Sequence, residues 1–129
     1  VGRDDLPLDI LGEVPLLLLD EGHCLRSQTL DLCRQVSARV LGRGDTRAAS
    51  LTTAVRCVAG GLGVTLVPES AVESESRDPG IGVARFAEPR PGRTMGLVLR
   101  SATSGDEAYA EFGRVVAGVA ERTFGATPV

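Results

Sequence analysis

The stretch VPLLLLDEGHCLRSQTLDLC, residues 14–33, joins two different hydrophobic patterns. Its four consecutive leucines, 16–19, form a continuous apolar run, which is typical of a strand buried on both faces of a parallel sheet. The polar segment DEG breaks the run, and from Cys24 onward apolar residues recur at steps of three and four, which predicts a helix with one apolar face. A buried strand followed by such a helix indicates an α/β fold with a mainly parallel sheet flanked by helices.

The rest of the chain repeats this alternation. The helix that starts at Cys24 is predicted to reach Val40, and Ser50 is a suitable N-cap for a second helix, which the glycines of 60–63 end. Pro68 can start a small third helix over 69–72, before a loop. The residue patterns also predict short strands at 47–50, 63–68, 81–86 and 94–100.

Composition and charge narrow the class of protein. With 129 residues, 43% of them hydrophobic, the chain has the size and composition of one globular domain or part of one. Its net charge of −3 and scattered arginines argue against a nucleic-acid-binding surface in this segment. Its start has no signal-peptide pattern and no apolar run has the length of a membrane span, so we expect a reducing, cytoplasmic compartment. We also expect the chain, which starts at Val1, to be a fragment of a longer protein.

Two of the three cysteines, Cys24 and Cys33, lie nine residues apart in the predicted first helix. At about 1.5 Å and 100° per residue, helical geometry separates them by roughly 13 Å along the axis and places them on opposite sides. A disulfide requires Cα atoms within about 7 Å of each other. The helix and a 24–33 disulfide therefore exclude each other, and the pair is a candidate bistable element in which a covalent bond changes the backbone.

The two thiols are also expected to differ in environment. Cys24 starts the helix, where unpaired amide groups and the helix dipole favour a thiolate, and His23 and Arg26 are close in sequence. Cys33 lies at the edge of the apolar face and should be buried and protonated. This asymmetry suits a peroxidatic Cys24, which is oxidised to a sulfenic acid, and a resolving Cys33, which condenses with it.

Other interpretations of the cysteines stay open at this point. A cysteine in a cytosolic α/β chain is most often a small core residue, and Cys57, on the flank of the second helix, is most simply one of these. A zinc site needs about four ligands at short spacing. The chain has a single histidine and no C-x-x-C, so no metal is expected. The glycines of GGLGV follow a helix instead of opening one, so they do not match a dinucleotide-binding loop.

Three segments resemble one family of transcription factors. LLLLDEGHCLRSQTLDLC, residues 16–33, resembles the signature of the OxyR hydrogen-peroxide sensors, a family within the LysR-type transcriptional regulators. ASLTTAVRCVAGGLGVTLVPESAV (49–72) and PRPGRTMGLVLR (89–100) are similar to the helix–strand segment and the following strand of LysR-type regulatory domains. The cysteine pair is the specific part, because most LysR-type relatives lack it, and the similarity covers nearly all of the chain.

The resemblance implies a fold like that of type 2 periplasmic binding proteins, with two α/β subdomains around a cleft. Residues 1–92 would be most of the second regulatory subdomain, which holds the redox switch, and residues 93–129 would return to the first. The winged helix-turn-helix and the rest of the first subdomain, with the family's pocket threonines, would lie outside this chain. About two extra residues separate Cys33 from Ser50 relative to the family, which would alter how the resolving segment packs when oxidised.

The implied truncation makes a prediction about the last helix. Ser104 and Glu107 form a capping box at its start, and it should end near residues 123–125. In the family's fold its apolar stripe would pack on the absent subdomain, so in this chain it must pack elsewhere, pair with another chain or stay exposed. The stripe consists of Tyr109, Phe112, Val116 and Val119.

The resemblance also implies the site and its chemistry. Cys24 would be the peroxidatic residue and Cys33 its resolving partner. Gly22 and His23 match positions that line the family's peroxide pocket, and Arg93 matches an arginine that stabilises the reacting thiolate.

The implied function is hydrogen-peroxide sensing by a regulatory domain, through a reversible Cys24–Cys33 disulfide that remodels the helix between the cysteines. No enzymatic activity, cofactor or membrane is expected. The full-length protein would be a homo-oligomer, a dimer or tetramer, and only it would contact promoter DNA and RNA polymerase. Three alternatives remain: a LysR-type domain that binds a small metabolite, a thiol peroxidase, and a fragment with no independent activity.

Overall fold

The computed structural model of the chain describes residues 3–36, 47–100 and 107–125. The chain divides into two compact units, Val1–Pro91 and Gly92–Val129. In chain order the elements are β1 (Arg3–Leu6), a 3-10 helix (Leu8–Gly12), β2 (Leu18–Leu19), α1 (Cys24–Gln35), β3 (Arg47–Ala48), α2 (Leu51–Ala59), α3 (Glu69–Glu75), β4 (Ala84–Phe86) and α4 (Glu107–Phe124).

Parallel strand pairs organise the first unit. β1 pairs with β4, with an irregular register around Asp5, which has a positive φ of 64°. β2 pairs with β3, and a single parallel bridge joins Leu16, just before β2, to Val64. Helices separate the paired strands in sequence, so the predicted α/β fold with parallel pairing is confirmed.

The leucine run places the strand β2 in the core, as its composition predicts. Leu17, within the run, is 6% exposed. Two clusters of buried side chains form around this segment. The first is made by Leu11, Leu16 and Cys33. The second is made by Leu19, Ala48 and Ala54. A cysteine of α1 is therefore a core residue, packed beside the start of the leucine run.

The helix α2 begins where its capping residue predicts. The Ser50 hydroxyl oxygen accepts a hydrogen bond from the Thr53 amide at 3.2 Å, which satisfies one of the amides that a helix start leaves unpaired. The helix ends at Ala59, before the predicted glycine stop. α3 follows Pro68 as predicted, and it extends three residues further, to Glu75.

Two predicted strands are wrong. Residues 94–100 have no regular secondary structure, and 63–68 contribute only the bridge at Val64, whose side chain is 37% exposed. An apolar or alternating pattern makes a segment suitable for a sheet, but a strand exists only where a neighbouring backbone pairs with it. Among the described residues, 94–100 have no partner in a ladder. α1 ends at Gln35, with Val36 as its C-cap, so the first helix is shorter than predicted. The predicted cap at Ser104 lies outside the described residues.

The second unit contains an extended segment and the helix α4. α4 runs to Phe124, which confirms the predicted final helix and its end. The side chains of the predicted stripe are 41–54% exposed. An apolar cavity of about 530 Å³ is lined by Leu97, Leu99, Ala108, Tyr109 and Phe112.

Candidate functional site

The turn between β2 and α1 positions the first cysteine. Gly22 has a φ of +94°, in the left-handed region that residues with a side chain rarely adopt. His23 follows in an extended conformation as the N-cap, and Cys24 is the first residue of α1. The local sequence thus places the Cys24 side chain at the helix start, beside amide groups that have no partner within the helix.

Two side chains tie this first turn to the ends of neighbouring strands. His23 Nε2 lies 3.1 Å from the carbonyl oxygen of Ala49, which follows β3, and the Nε2–H tautomer donates this bond. Arg26 Nη1 donates a 3.0 Å hydrogen bond to the carbonyl oxygen of Leu19, the last residue of β2. The sequence indicated that both residues are near Cys24, but not these acceptors. The Ala49 carbonyl is 26 residues from His23, and the Leu19 carbonyl, seven residues from Arg26, is a backbone group with no side-chain signal.

The two cysteines of α1 differ in exposure. Cys24 is exposed, whereas Cys33 is 2% exposed and packs with Leu11 and Leu16. Burial raises the pKa of the Cys33 thiol because the charged thiolate would lose its hydration, and a backbone hydrogen bond offsets part of this effect. The prediction that Cys33 is buried is therefore confirmed, and its raised pKa favours the protonated form.

The helix α1 is continuous from Cys24 to Gln35, and both thiols are free. Nine helical steps separate them by roughly 13 Å along the axis, against the 7 Å or so that a disulfide permits between Cα atoms. Buried Thr29 lies between them and donates its hydroxyl to the Leu25 carbonyl at 2.8 Å, a bond that mildly disfavours a straight helix. Joining the two sulfurs therefore requires α1 to unwind.

The other predicted site residues have less defined surroundings. Gly22 and His23 are exposed beside Cys24, and their role in binding peroxide stays a prediction. Arg93 is exposed in the second unit, and its contact with the Cys24 thiolate stays a prediction.

One ion pair at the site was not predicted from the sequence. Arg47 Nη1 lies 3.4 Å from Glu21 Oε1 and links the loop before α1 to β3. The sequence showed only that opposite charges lie in two separate segments, the loop before α1 and β3, and this does not identify a pair. Within residues 3–36, 47–100 and 107–125, no group of three or more His, Cys, Asp and Glu side chains could hold a metal ion. Over the same ranges, no helix is long and apolar enough to cross a membrane.

Comparison with known proteins identifies the domain. The sequence profile of the LysR substrate binding domain matches residues 1–121. The chain belongs to the LysR substrate-binding domain family. This membership and the parallel strands confirm the predicted fold like that of periplasmic binding proteins.

Relatives of this LysR-type domain are named for hydrogen peroxide. A probable hydrogen peroxide-inducible genes activator of Mycobacterium avium is 52% identical over 115 residues, which are 89% of this chain and 37% of the relative. The DNA-binding transcriptional dual regulator OxyR of Escherichia coli K12 is 40% identical over 100 residues, 76% of this chain and 32% of the relative. The chain spans about a third of the length of these curated relatives.

Solved structures give the same result. A cysteine mutant of Corynebacterium glutamicum OxyR matches with a TM-score of 0.79 and 43% identity, over 88% of this chain and 35% of that one. A cysteine-to-serine mutant of the same protein, bound to hydrogen peroxide, matches with a TM-score of 0.61 and 46% identity, over 65% of this chain and 27% of that one. The predicted resemblance to OxyR sensors is therefore confirmed.

Proposed function

We propose that this chain is the redox-sensing part of a LysR-type transcriptional regulator that responds to hydrogen peroxide. The observation that carries the proposal is an exposed Cys24 and a buried Cys33, both free, on one unbroken helix. Relatives named as hydrogen peroxide-inducible genes activators, and a similar OxyR structure with hydrogen peroxide bound, support it.

The chemistry is a two-electron oxidation of the cysteine pair. The Cys24 thiolate attacks one peroxide oxygen, the O–O bond breaks, and the departing hydroxide takes up the proton that Cys24 lost. The Cys33 sulfur then attacks the Cys24 sulfenic acid, a disulfide forms, and the sulfenic oxygen leaves as water. One peroxide thus becomes two waters, and no cofactor takes part. We assign Gly22 and His23 to the peroxide pocket and Arg93 to the stabilisation of the thiolate.

The placement of Cys33 makes the response conditional. Its sulfur packs in a core cluster with Leu11 and Leu16, so the helix resists unwinding while Cys24 is reduced. Formation of the disulfide replaces those contacts by a covalent bond and remodels residues 24–33. In a full-length, cytoplasmic homo-oligomer, this change would alter the contacts with promoter DNA and RNA polymerase. The protein would act as a regulator and not as an enzyme.

Peptide mapping after one equivalent of hydrogen peroxide tests the proposal. Trypsin cuts after arginine, so Cys24, Cys33 and Cys57 fall into three separate peptides, 4–26, 27–34 and 57–77. We expect a cross-link between peptides 4–26 and 27–34, together with loss of helical circular dichroism. Cys24→Ser should abolish the cross-link, and Cys57→Ser is the matched control that should keep it. Absence of this cross-link, or a cross-link to 57–77, would contradict the proposal.

Two further measurements separate the rival functions. With a thiol reductant present, peroxide consumption that continues at peroxidase speed far beyond one turnover would favour a thiol peroxidase. In the full-length regulator, a transcriptional response that survives Cys24→Ser would favour a domain that binds a small metabolite. We expect neither result.

A further inference from the structure

The hydrogen bond from Arg26 Nη1 to the Leu19 carbonyl oxygen, which we call the Arg26 latch, links the switch helix to the sheet. We propose that this latch holds α1 in its helical, dithiol form and thereby sets the redox equilibrium of the cysteine pair. The inference rests on the proposed function, because it concerns the same Cys24–Cys33 couple. It makes Arg26 a positioning residue, which acts through the helix and not on the reacting sulfur.

The acceptor of the latch is fixed in the core. Leu19 is the last residue of β2, is 5% exposed and packs with Ala48 and Ala54. The donor, in contrast, is on the element that must change. Arg26 is the third residue of α1, and its side chain is partly buried. Its Nη1 atom lies 3.0 Å from the carbonyl oxygen of Leu19 at the end of β2. A charge-assisted hydrogen bond of this kind is stronger than one between neutral groups.

The position of Arg26 in the chain gives the latch its effect on redox chemistry. Arg26 lies between Cys24 and Cys33, within the segment that a disulfide would close and unwind. His23 also contacts a strand end, at Ala49, but it precedes Cys24 and lies outside that segment. Unwinding therefore separates the Arg26 guanidinium from the Leu19 carbonyl, while the His23 contact does not have to change. The latch stabilises the dithiol and opposes the disulfide.

Arg34 provides a matched control on the same helix. Its guanidinium lies 2.6 Å from Asp31 of the same helix, and its side chain is 75% exposed. Replacing Arg34 removes an exposed ion pair within α1, and such a pair changes the equilibrium constant for helix formation by less than about twofold. Methionine is a suitable replacement at both positions, because its helix propensity is close to that of arginine.

The test is the equilibrium of the full chain with glutathione. Dithiol and glutathione disulfide exchange to give the 24–33 disulfide and two molecules of reduced glutathione. After an acid quench and alkylation of the free thiols, the oxidised fraction is read from the mass of the intact chain, because Arg26→Met removes the tryptic site between the two cysteines. Arg26→Met should raise the equilibrium constant about tenfold, which corresponds to a midpoint potential about 30 mV more negative. Arg34→Met should change the constant less than about twofold. Equal constants for the two variants would overturn the proposal.

A rate measurement separates the latch from a direct effect on the sulfur. In a Cys33→Ser background, where the disulfide cannot form, the rate of Cys24 sulfenic acid formation is followed by trapping with dimedone. Arg26→Met should leave this rate within about twofold, because a positioning role does not require contact with the thiolate. A rate that falls about tenfold or more, with an unchanged glutathione equilibrium, would show that Arg26 acts on the sulfur and would overturn the latch.

Failure of the latch can be told apart from failure of the proposed function. If the wild-type chain forms no 24–33 disulfide, the proposed function fails. The latch is then tested in the Cys24→Ser/Cys33→Ser variant by hydrogen exchange of amides 28–31, which are the first to have acceptors within α1. Arg26→Met should speed this exchange about tenfold if the latch holds α1 to the sheet, and unchanged exchange would overturn it.

Discussion

At the scale of the residue, the environment of Cys33 gives its thiol a pH-dependent share in stability. Burial raises the pKa of Cys33, so the folded protein holds this proton at a pH where the unfolded chain has begun to lose it. Between the two pKa values the native state binds more protons than the unfolded state, and the free energy of unfolding falls as pH rises. This contribution is complete below the unfolded pKa of about 8.5 and is lost above it.

We therefore expect Cys33→Ala to lower the free energy of unfolding by about 1–3 kcal/mol at pH 7, because it removes a side chain from a packed cluster. The difference from wild type should shrink between about pH 8 and pH 10, since the variant has no thiol to titrate. Urea unfolding in a non-thiol reductant measures both effects. Cys24→Ala, at an exposed position, is the control and should stay within about 0.5 kcal/mol. A Cys33→Ala difference that does not vary with pH would contradict the assigned burial.

At the scale of the element, the start of α2 is determined by a side-chain cap, Ser50, which the sequence predicted. Ser50 satisfies the Thr53 amide, and its neighbour Ala49 accepts the His23 contact, so the start of α2 adjoins the start of α1. Loss of the Ser50 cap should therefore destabilise the start of α2, where Ala49 contacts the N-cap of α1.

Ser50→Ala should lower the free energy of unfolding by about 1 kcal/mol, because the Thr53 amide loses its acceptor. Ser50→Asn keeps a capping oxygen and should stay close to wild type. Chemical denaturation of both variants under reducing conditions is the measurement. Equal losses in the two variants would mean that the serine stabilises α2 by something other than its cap.

The same elements show how far sequence alone can go. The periodicity from Cys24, the cap at Ser50 and the burial of Cys33 depend on neighbours within a few residues, and each was predicted. The strand at 94–100 was not found, because a strand also requires a partner that its own residues do not specify. The acceptors of His23 and Arg26 are backbone carbonyls, which carry no side-chain signal. The Ala49 carbonyl also becomes a neighbour of His23 only once β2 and β3 pair.

At the scale of the whole molecule, the second unit exposes large apolar side chains, which are usually buried in a stable protein. In α4, Phe112 is 54% exposed. In the segment before α4, Met95 is 72% exposed and Val98 is 91% exposed. Their exposure is what we expect if residues 93–129 are a segment that packs against another subdomain, as the family resemblance implies. That position remains a proposal, and the association behaviour of the chain tests it.

We expect the isolated chain to self-associate through α4, because contact between apolar stripes removes their area from water. Val116→Glu places a charge within the stripe and should shift the population toward monomer. Ala117→Glu places the same charge on the helix side away from the stripe, about 100° further round, and should leave association unchanged. Sedimentation velocity over a concentration series separates the three proteins. A wild-type chain that stays monomeric at all concentrations would contradict association through α4. If α4 were also found docked on residues 1–92, the predicted boundary at residue 92 would be wrong.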